Sequence, residues 1–509
     1  MDYIILNSFL PEIFFSLSIL FHLLFNARLI NKLDFNFPLI DKEIFGQTFF
    51  ILFCLLLLLI NLKIEGFFSN FLFLNDEGSR LIKILFVLSC LILLITILRG
   101  FSLQNLNFFE FFTIFFLSLF SLLLLTSCYD LISVYLVIEI QALAFYILAS
   151  FKRNSAFSTE AGLKYFISGS FISGLFLFGA SIIYGSLGTL NFHNLTLLLS
   201  FPFNEEFIYI HHFVLIGIFL IVIALLFKIA AAPFHFWAPD VYEGSPISSA
   251  AIFSVLPKLI IFSFFIKWIG MTLDTFYEIK DLLMFIGIFS VFFGTFFALK
   301  QKRVKRFIIY SSIAQIGFLI AALSTNSLSG YSAIYFFLII YIITSILVWN
   351  HLSLFYFFQK RVYAFYNKAA TPLFLSSLSS FFKINKLWGF SFIIIFFSVA
   401  GIPPLSGFLS KIFILFNLIE FNKIIGSLFL ILISAVSVFY YIRVIKTIFF
   451  ETKNITPVNS SFQTIFTTTL FDLDCIVISL CLFFLILFFF SPTLILLINQ
   501  CIILGSFGF

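Results

Sequence analysis

A succession of helix-length apolar runs dominates the sequence. Fourteen can be delimited, at 4–25, 47–63, 81–99, 108–127, 130–151, 162–187, 213–237, 247–270, 281–300, 304–324, 330–358, 388–417, 425–450 and 473–498. Each approaches the roughly 20 residues that cross a bilayer as an α-helix, and none alternates like the roughly 10-residue strands of a membrane β-barrel. With 62% hydrophobic and 10% charged residues, the chain has more apolar surface than its own core could bury. The sequence therefore predicts an all-α polytopic membrane protein with about 14 transmembrane helices.

The basic residues are distributed unevenly between the two sides of the membrane, as the count of 14 spans assigns them. Twenty of the 29 Lys and Arg residues follow odd-numbered spans or lie at the adjacent helix ends, as in the loop Lys302–Arg306. Only six follow even-numbered spans: Lys63, Arg80, Lys83, Lys267, Lys280 and Lys423. Basic residues accumulate on the inner side of membrane proteins, so the bias supports the count of 14 and predicts that both termini lie on the outer side. The N-terminus lacks a basic leader and a small-residue cleavage site, so we expect it to form the first span.

Four ionisable residues remain inside apolar runs. Lys228, Lys258 and Lys411 lie in the seventh, eighth and twelfth spans, and Glu139 lies in the fifth. A charged residue at the bilayer centre costs roughly 2.5–3.5 kcal/mol on insertion scales. Any one of them alone could be a snorkelling side chain or part of a structural ion pair. Four together favour a proton relay, because buried ionisable groups can exchange protons near neutral pH.

Prolines and glycines accompany two of these lysines. Pro233 and Pro239 follow Lys228, whereas the run "VAGIPPLSGFLSK" places its glycines and prolines before Lys411. We therefore expect helices 7 and 12 to be broken, as are membrane helices that line a cavity and carry ions.

The five-span offset between the two broken helices has a topological consequence. An odd offset inverts the orientation of a helix, so the pair predicts two inverted five-helix repeats. The opposite order of lysine and proline in the two helices weakens that prediction. The predicted domains are an N-terminal three-helix extension (1–105), a first repeat (106–272), a second repeat (273–450) and a C-terminal transmembrane helix (451–509).

Motifs of nucleotide or metal chemistry are missing from the sequence. It contains neither a Rossmann glycine fingerprint nor a Walker loop, and its six cysteines show no CxxC and no metal-like spacing. We therefore expect no cofactor-binding and no metal-binding residues on this chain.

Several segments together resemble a known family. "EIQALAFYILASFKRNSAFSTEAGLKYFISGS", "FKIAAAPFHFWAPDVYEGSP", "KRFIIYSSIAQIGF" and "GIPPLSGFLSK" are similar to the antiporter-like membrane subunits of respiratory complex I, in particular the mitochondrial subunit 2 and bacterial subunit N group. The resemblance covers roughly residues 105–450. It implies fourteen helices, with two inverted five-helix bundles whose seventh and twelfth helices are broken.

The resemblance also implies roles for residues. Glu139 matches the family's helix-five glutamate, Lys228 and Lys411 match the lysines of the two broken helices, and Lys258 matches the helix-eight lysine. In the family these groups are proposed to form a polar axis in the middle of the membrane. Redox energy released in other subunits changes the charge of one pair, and its neighbours take up or expel protons.

Cofactors, partners and location follow from the same resemblance. NADH, FMN, iron–sulfur clusters and ubiquinone are expected on partner subunits of NADH:ubiquinone reductase, with no redox chemistry on this chain. The expected partners are neighbouring antiporter-like and small core subunits of the membrane arm, together with lipids, and no nucleic acid. The expected location is the mitochondrial inner membrane, with both termini on the intermembrane-space side. The 84 phenylalanines are consistent with an AT-rich organellar gene.

Some assignments stay open. His235, at the end of the seventh span, is either an interfacial anchor or part of a proton path, and His351 is a candidate link between two half-channels. Asp130 is expected to be a helix N-cap. A subunit of a multisubunit cation/proton antiporter would share the fold and the buried lysines. A purely structural membrane-arm subunit is the other alternative, but a scaffold would gain nothing from the cost of buried charges.

Overall fold

The chain is almost entirely α-helical. The computed structural model describes residues 8–32, 39–62, 66–68, 72–104, 109–200, 208–272, 276–365, 374–380, 386–450 and 470–507. Their α-helices are α1 Leu10–Lys32, α2 Leu39–Asn61, α3 Glu77–Gln104, α4 Phe109–Ser127, α5 Leu131–Ser150, α6 Ala156–Leu187, α7 Phe192–Ser200, α8 Ile208–Lys228, α9 Trp237–Gly244, α10 Ile247–Thr272, α11 Tyr277–Lys300, α12 Val304–Leu323, α13 Leu328–Phe365, α14 Lys386–Ala400, α15 Ser406–Glu420, α16 Ile424–Phe449, α17 Leu470–Phe490 and α18 Thr493–Phe507. The strands β1 Gly66–Phe68 and β2 Phe73–Asn75 form an antiparallel hairpin.

Among the described residues, thirteen helices are long and apolar enough to cross a membrane. They correspond to thirteen of the fourteen predicted spans. The remaining one, the predicted twelfth span, is divided between α14 and α15, each of which has only 15 residues. The predicted count is therefore confirmed, with the twelfth span broken as expected.

Two predicted spans end earlier than expected. The predicted span 213–237 stops as a helix at Lys228, and the predicted span 473–498 stops at Phe490. Pro492 explains the second boundary, since the residue before a proline disfavours the α conformation. The C-terminal segment therefore contains two helices, α17 and α18, where one was predicted.

The chain packs into two compact units. Unit 1 comprises Met1–Leu91, Leu106–Leu283 and Gln500–Phe509, and unit 2 comprises Ile92–Asn105 and Met284–Asn499. The finer division into four domains stays a prediction.

Unit 1 is organised around α10. This helix is buried over the whole of its most apolar stretch, so it is enclosed by its neighbours on every side. Beside it, α6 and α8 cross closely, because a Cβ atom on Gly179 would lie 2.8 Å from Gly217 O. Small residues at such crossings let membrane helices approach each other.

One end of unit 1 is organised by short backbone connections. The β2 strand bridges to Cys128, and Asp130 bridges to Asn191 just before α7. Asp130 Oδ1 accepts a hydrogen bond of 2.8 Å from Ile132 N at the start of α5, which confirms the predicted N-cap. The ends of α4 and α6 and the start of α5 therefore lie together, as the predicted alternation of spans requires.

Unit 2 contains the second broken helix. Helix α13 packs against α14 and α15, and α16 packs against both halves as well. A 3₁₀ turn at Leu375–Ser380 lies against α16, and Arg303 bridges to Phe374 beside it.

Candidate functional site

The first break follows directly after Lys228. Ala231 N donates to Leu226 O at 3.0 Å and Ala230 N donates to Phe227 O at 2.9 Å. With Ala230 at φ +61°, this is a Schellman motif, which ends a helix by satisfying its last free carbonyls. The chain then turns through 232–236 before α9 begins.

The second break has the same design. Ile402 N donates to Phe397 O at 3.1 Å, Gly401 N donates to Ser398 O at 3.0 Å, and Gly401 has φ +83°. In both breaks a cis proline, Pro233 or Pro404, comes three residues after the left-handed residue. The hydrogen-bond pattern shows that the two breaks are equivalent. The two lysines lie on different halves of their broken helices, Lys228 before its break and Lys411 after it.

Lys411 lies on the second half and reaches back to the end of the first. Its Nζ donates to Val399 O at 3.1 Å and to Ala400 O at 2.7 Å. A Cβ atom on Gly401 would lie 2.9–3.3 Å from the end of the Lys411 side chain. Gly401 is therefore required both for its left-handed backbone and for the close approach of the ammonium group.

Lys228 occupies a different environment. Its Nζ is buried and has no hydrogen-bond partner among the described residues. It borders a small cavity whose other lining residues are Gln141, Ala142, Phe145, Tyr165, Trp237, Tyr242, Phe253 and Pro257. The cavity volume of about 10 Å³ is close to what one water molecule needs. The position therefore has the cost of a buried ammonium group that no acceptor in the described ranges offsets.

Glu139 lies near enough to interact electrostatically with Lys228. The ion pairs of the described residues do not include one within 4 Å between these two side chains. The polar residue of α5 that lines the Lys228 cavity is Gln141, two positions further on. Sequence reasoning missed Gln141 because it followed charge alone, although an amide inside an apolar run was visible.

Lys258 follows a proline inside α10. Pro257 has no N–H to donate to Phe253 O, and Tyr242 Oη donates to that carbonyl instead, at 3.0 Å. Tyr242 thereby connects α9 to the helix that carries Lys258. The Lys258 side chain is buried in the middle of unit 1. The role of Tyr242 could not be predicted from the sequence, because its hydrogen-bond acceptor is the backbone carbonyl oxygen of Phe253.

His351 lies in a hydrogen-bonded chain within unit 2. Its Nδ1 is 2.8 Å from Leu347 O and its Nε2 is 2.7 Å from Ser391 Oγ, which can donate to Trp388 O at 2.8 Å. A carbonyl only accepts, so Nδ1 carries a hydrogen. The neutral ring then accepts the Ser391 hydroxyl hydrogen at Nε2, whereas the protonated ring donates and turns that hydroxyl toward Trp388 O. The His351 ring can therefore be neutral or protonated while both of its nitrogens keep a hydrogen-bond partner.

His235 and Trp237 belong to the first break. His235 is buried and its ring stacks on Phe236 at 4.7 Å. Trp237 is also buried, stacks on Tyr165 at 4.5 Å, and its Nε1 donates to Phe227 O at 3.1 Å. Trp237 therefore packs against Tyr165 and caps the end of α8.

Two basic residues that the topology count placed in loops are buried in ion pairs. Lys83 Nζ lies 2.5 Å from Glu12 Oε1, and Lys267 Nζ lies 2.8 Å from Asp76 Oδ2. Their loop assignment was wrong, because each lies in the terminal turns of a helix whose end is covered by other helices. Glu12 was also missed, although it lies inside the predicted first span 4–25, and Asp76 lies just before the predicted third span.

The structure places the predicted site residues in two sets. Glu139, Lys228, His235 and Lys258 belong to unit 1, whereas His351 and Lys411 belong to unit 2. Each unit thus has a lysine at the break of a discontinuous helix. The predicted axis from one unit to the other stays a prediction.

Fold and site together define an antiporter-like helical membrane protein with two discontinuous lysine-bearing helices. Residues 128–440 match a family described as NADH:quinone oxidoreductase/Mrp antiporter, transmembrane. The chain belongs to this family, since the match covers more than half of its length.

Named relatives agree with this assignment. The chain is 36% identical over 379 residues to NADH-ubiquinone oxidoreductase chain 2 of Marchantia polymorpha, covering 74% of each protein. It is 33% identical over 451 residues to NADH-quinone oxidoreductase subunit N of Pelagibacter ubique, covering 88% of this chain and 90% of that protein. A chain of respiratory complex I from Thermus thermophilus has the same fold, with a TM-score of 0.74, 24% identity and coverage of 96% and 98%.

Proposed function

We propose that this chain is a proton-translocating membrane-arm subunit of NADH:ubiquinone oxidoreductase. Its family and the names of its relatives support the assignment. The redox chemistry, with NADH, FMN, iron–sulfur clusters and ubiquinone, takes place on partner subunits, and this chain contributes only proton movement. Its partners are neighbouring membrane-arm subunits and lipids.

The environment of Lys228 is the observation that carries the proposal. The ammonium group is buried at the broken end of α8 without a hydrogen-bond partner among the described residues. A residue selected only for stability would be expected to have an acceptor or to be replaced by an apolar side chain. A group that must gain and lose a proton needs the opposite, namely an environment in which neither state is firmly held.

The charges around the two breaks suggest how proton movement is coupled. Glu139 acts electrostatically on Lys228 at longer range than an ion pair, so a change in the charge of Glu139 alters how readily Lys228 holds its proton. In unit 2, Lys411 exchanges its proton beside the carbonyls of Val399 and Ala400. The chain through His351 and Ser391 supplies a further group that can transfer a proton.

We place the chain in the mitochondrial inner membrane with both termini on the intermembrane-space side. The names of the mitochondrial relatives and the uneven distribution of basic residues support this placement. Bacterial relatives have the same fold, so the same arrangement would serve a bacterial membrane.

A subunit of a cation/proton antiporter is the second candidate, because the family description covers Mrp antiporters as well. Reconstitution of the assembled complex in vesicles without Na⁺ and K⁺ separates the two. Quinone-dependent NADH oxidation should still drive proton uptake if the chain is a redox-coupled pump. Proton movement that requires Na⁺ or K⁺ in exchange would favour the antiporter.

Lys411→Gln tests the role of this chain in the same vesicles. Glutamine keeps hydrogen-bond donors for Val399 O and Ala400 O but cannot release a proton. We expect normal assembly with reduced proton uptake and reduced coupled NADH oxidation. The Lys446→Met variant in α16 is the matched control, and we expect it to pump normally. Equal pumping by both variants would contradict the proposal.

A further inference from the structure

A second group of buried charges lies at one end of unit 1. We call it the Glu12 cluster; it consists of Glu12 on α1, Asn75 and Asp76 before α3, Lys83 on α3 and Lys267 on α10. Lys83 donates to Glu12 Oε1 and to Asn75 Oδ1, and Lys267 Nζ lies 2.8 Å from Asp76 Oδ2. The cluster thus joins the start of α1, the start of α3 and the end of α10.

One oxygen in this cluster accepts no hydrogen bond from the part of the chain that the structure describes. Glu12 is only 5% exposed, and its Oε2 is buried without a hydrogen-bond partner among the described residues. The other carboxylate of the cluster is engaged at both oxygens, because Asp76 Oδ1 accepts from Ser79 N at 2.8 Å while Oδ2 faces Lys267. A buried carboxylate oxygen is costly unless a water molecule or a proton satisfies it.

A cavity beside Glu12 has room for a water molecule that can hydrogen-bond to this oxygen. It has a volume of about 20 Å³, enough for a water molecule, and is lined by Ser8, Glu12, Asp76, Glu77, Arg80 and Lys83 among others. Glu77 is 57% exposed on its side chain, so the cavity extends from the buried Glu12 to the surface at the start of α3. The charged residues that line it are Glu12, Asp76 and Glu77 against Arg80 and Lys83, so the lining carries one net negative charge. An added proton on Glu12 therefore makes the lining electrically neutral.

We propose that Glu12 is a proton-exchange site at this end of unit 1, where protons pass between the chain and water. This inference rests on the proposed function. In the exchange, Glu12 Oε2 forms an O–H bond with a proton from the cavity water, while Lys83 keeps its three protons and its bond to Asn75. Release is the reverse, and the proton leaves through the cavity past Glu77.

The helix α10 connects this site to Lys258. Lys258 and Lys267 lie on the same helix, nine residues apart, which corresponds to about 13 Å along the axis. Lys267 belongs to the Glu12 cluster through its ion pair with Asp76. The N-terminal helices α1 to α3 thereby supply Glu12, the last proton-exchanging group on a proton path that starts at Lys258.

Infrared spectroscopy of the whole complex tests the site directly. On lowering the pH, wild type should gain the carbonyl stretch of a protonated carboxylic acid, with a shift in D₂O. The band should be lost in Glu12→Gln, which keeps the size and the acceptor for Lys83, and should return at a shifted frequency in Glu12→Asp. Glu77→Gln, on the rim of the same cavity, is the control and should keep the wild-type band. An unchanged band in assembled Glu12→Gln would overturn the proposal.

Proton uptake separates this inference from the proposed function. We expect Glu12→Gln to lose proton uptake per NADH oxidised, whereas Glu160→Gln, at an exposed carboxylate on α6, matches wild type. If Lys228→Met fails to pump and Glu12→Gln pumps normally, the role of Glu12 is wrong and the proposed function stands. If Lys228→Met pumps normally, the proposed function itself fails, and the infrared result still decides whether Glu12 takes up a proton.

Discussion

Lys411 Nζ donates to Ala400 O at 2.7 Å, although the two residues lie on opposite sides of the break in the twelfth span. The carbonyls at the end of α14 carry the negative end of its helix dipole, and the ammonium group from α15 compensates it. In the first break, Lys228 sits on the helix that ends, and its ammonium group makes no such contact among the described residues. The same backbone motif thus holds one lysine firmly and the other loosely.

Replacing Gly401 should disrupt this contact. Gly401→Ala places a Cβ on a residue with φ +83°, which costs roughly 1–2 kcal/mol for an L-residue, and that Cβ would also displace Lys411. We expect less assembled complex to survive heating in detergent, together with reduced proton uptake. Gly185→Ala, in an open helical position on α6, is the control and should behave like wild type. Wild-type stability and pumping in Gly401→Ala would show that the close approach is not needed.

Tyr242 should be important because of Pro257. Tyr242→Phe leaves Phe253 O without a donor in a buried helix, and such a loss costs about 1–3 kcal/mol. The variant Pro257→Ala restores a backbone N–H for that carbonyl, so the effect of Tyr242→Phe should shrink in the Pro257→Ala background. A double-mutant cycle of thermal stability measures the coupling. Additive effects would mean that Tyr242 stabilises the region in some other way.

Hydropathy was enough to predict the membrane-spanning segments, and the prolines and glycines near Lys228 and Lys411 predicted the two breaks. A membrane helix is visible in the sequence as a long apolar run, and an N-cap is visible as a residue such as Asp130 just before that run. The return of Lys411 to Ala400 was not predictable, because it depends on how the chain turns after Gly401. The opposite order of lysine and proline in the two broken helices weakened the prediction of an inverted repeat, because the sequence does not show the backbone motif that the two breaks share.

Pairing between distant helices was also beyond the reach of sequence reasoning. Lys83 and Lys267 were counted as loop residues, since each lies near the end of an apolar run. Their burial depends on Glu12 and Asp76, which lie 71 and 191 residues away along the chain. Pairing across such separations leaves no periodicity in the sequence, so hydropathy alone could not reveal it.

The orientation in the membrane can be tested by cysteine labelling. With the exposed Cys475 and Cys501 replaced by serine, a cysteine introduced at Lys302 should react with an impermeant reagent only from the matrix side. A cysteine at Asn422, in the turn before α16, should react only from the intermembrane-space side. Both positions are exposed in the structure. The reverse pattern would invert the proposed orientation, and labelling of both from one side would contradict the count of spans.

The central claim is that Lys228 carries a proton, and its replacement tests this most directly. If Lys228 only stabilises the fold, Lys228→Met should be neutral or stabilising, because it removes a buried charge and keeps the volume. If it carries the proton, Lys228→Met should assemble yet lose proton uptake and coupled NADH oxidation. Lys228→Arg should also fail, because a guanidinium group stays protonated.

The decisive measurement is proton uptake into vesicles during quinone-dependent NADH oxidation by the reconstituted complex. Lys152→Met, an exposed lysine between α5 and α6, serves as the matched control and should pump like wild type. We predict that assembled Lys228→Met and Lys228→Arg complexes both take up fewer protons per NADH than this control. Wild-type proton uptake by assembled Lys228→Met would contradict the account and remove Lys228 from the relay.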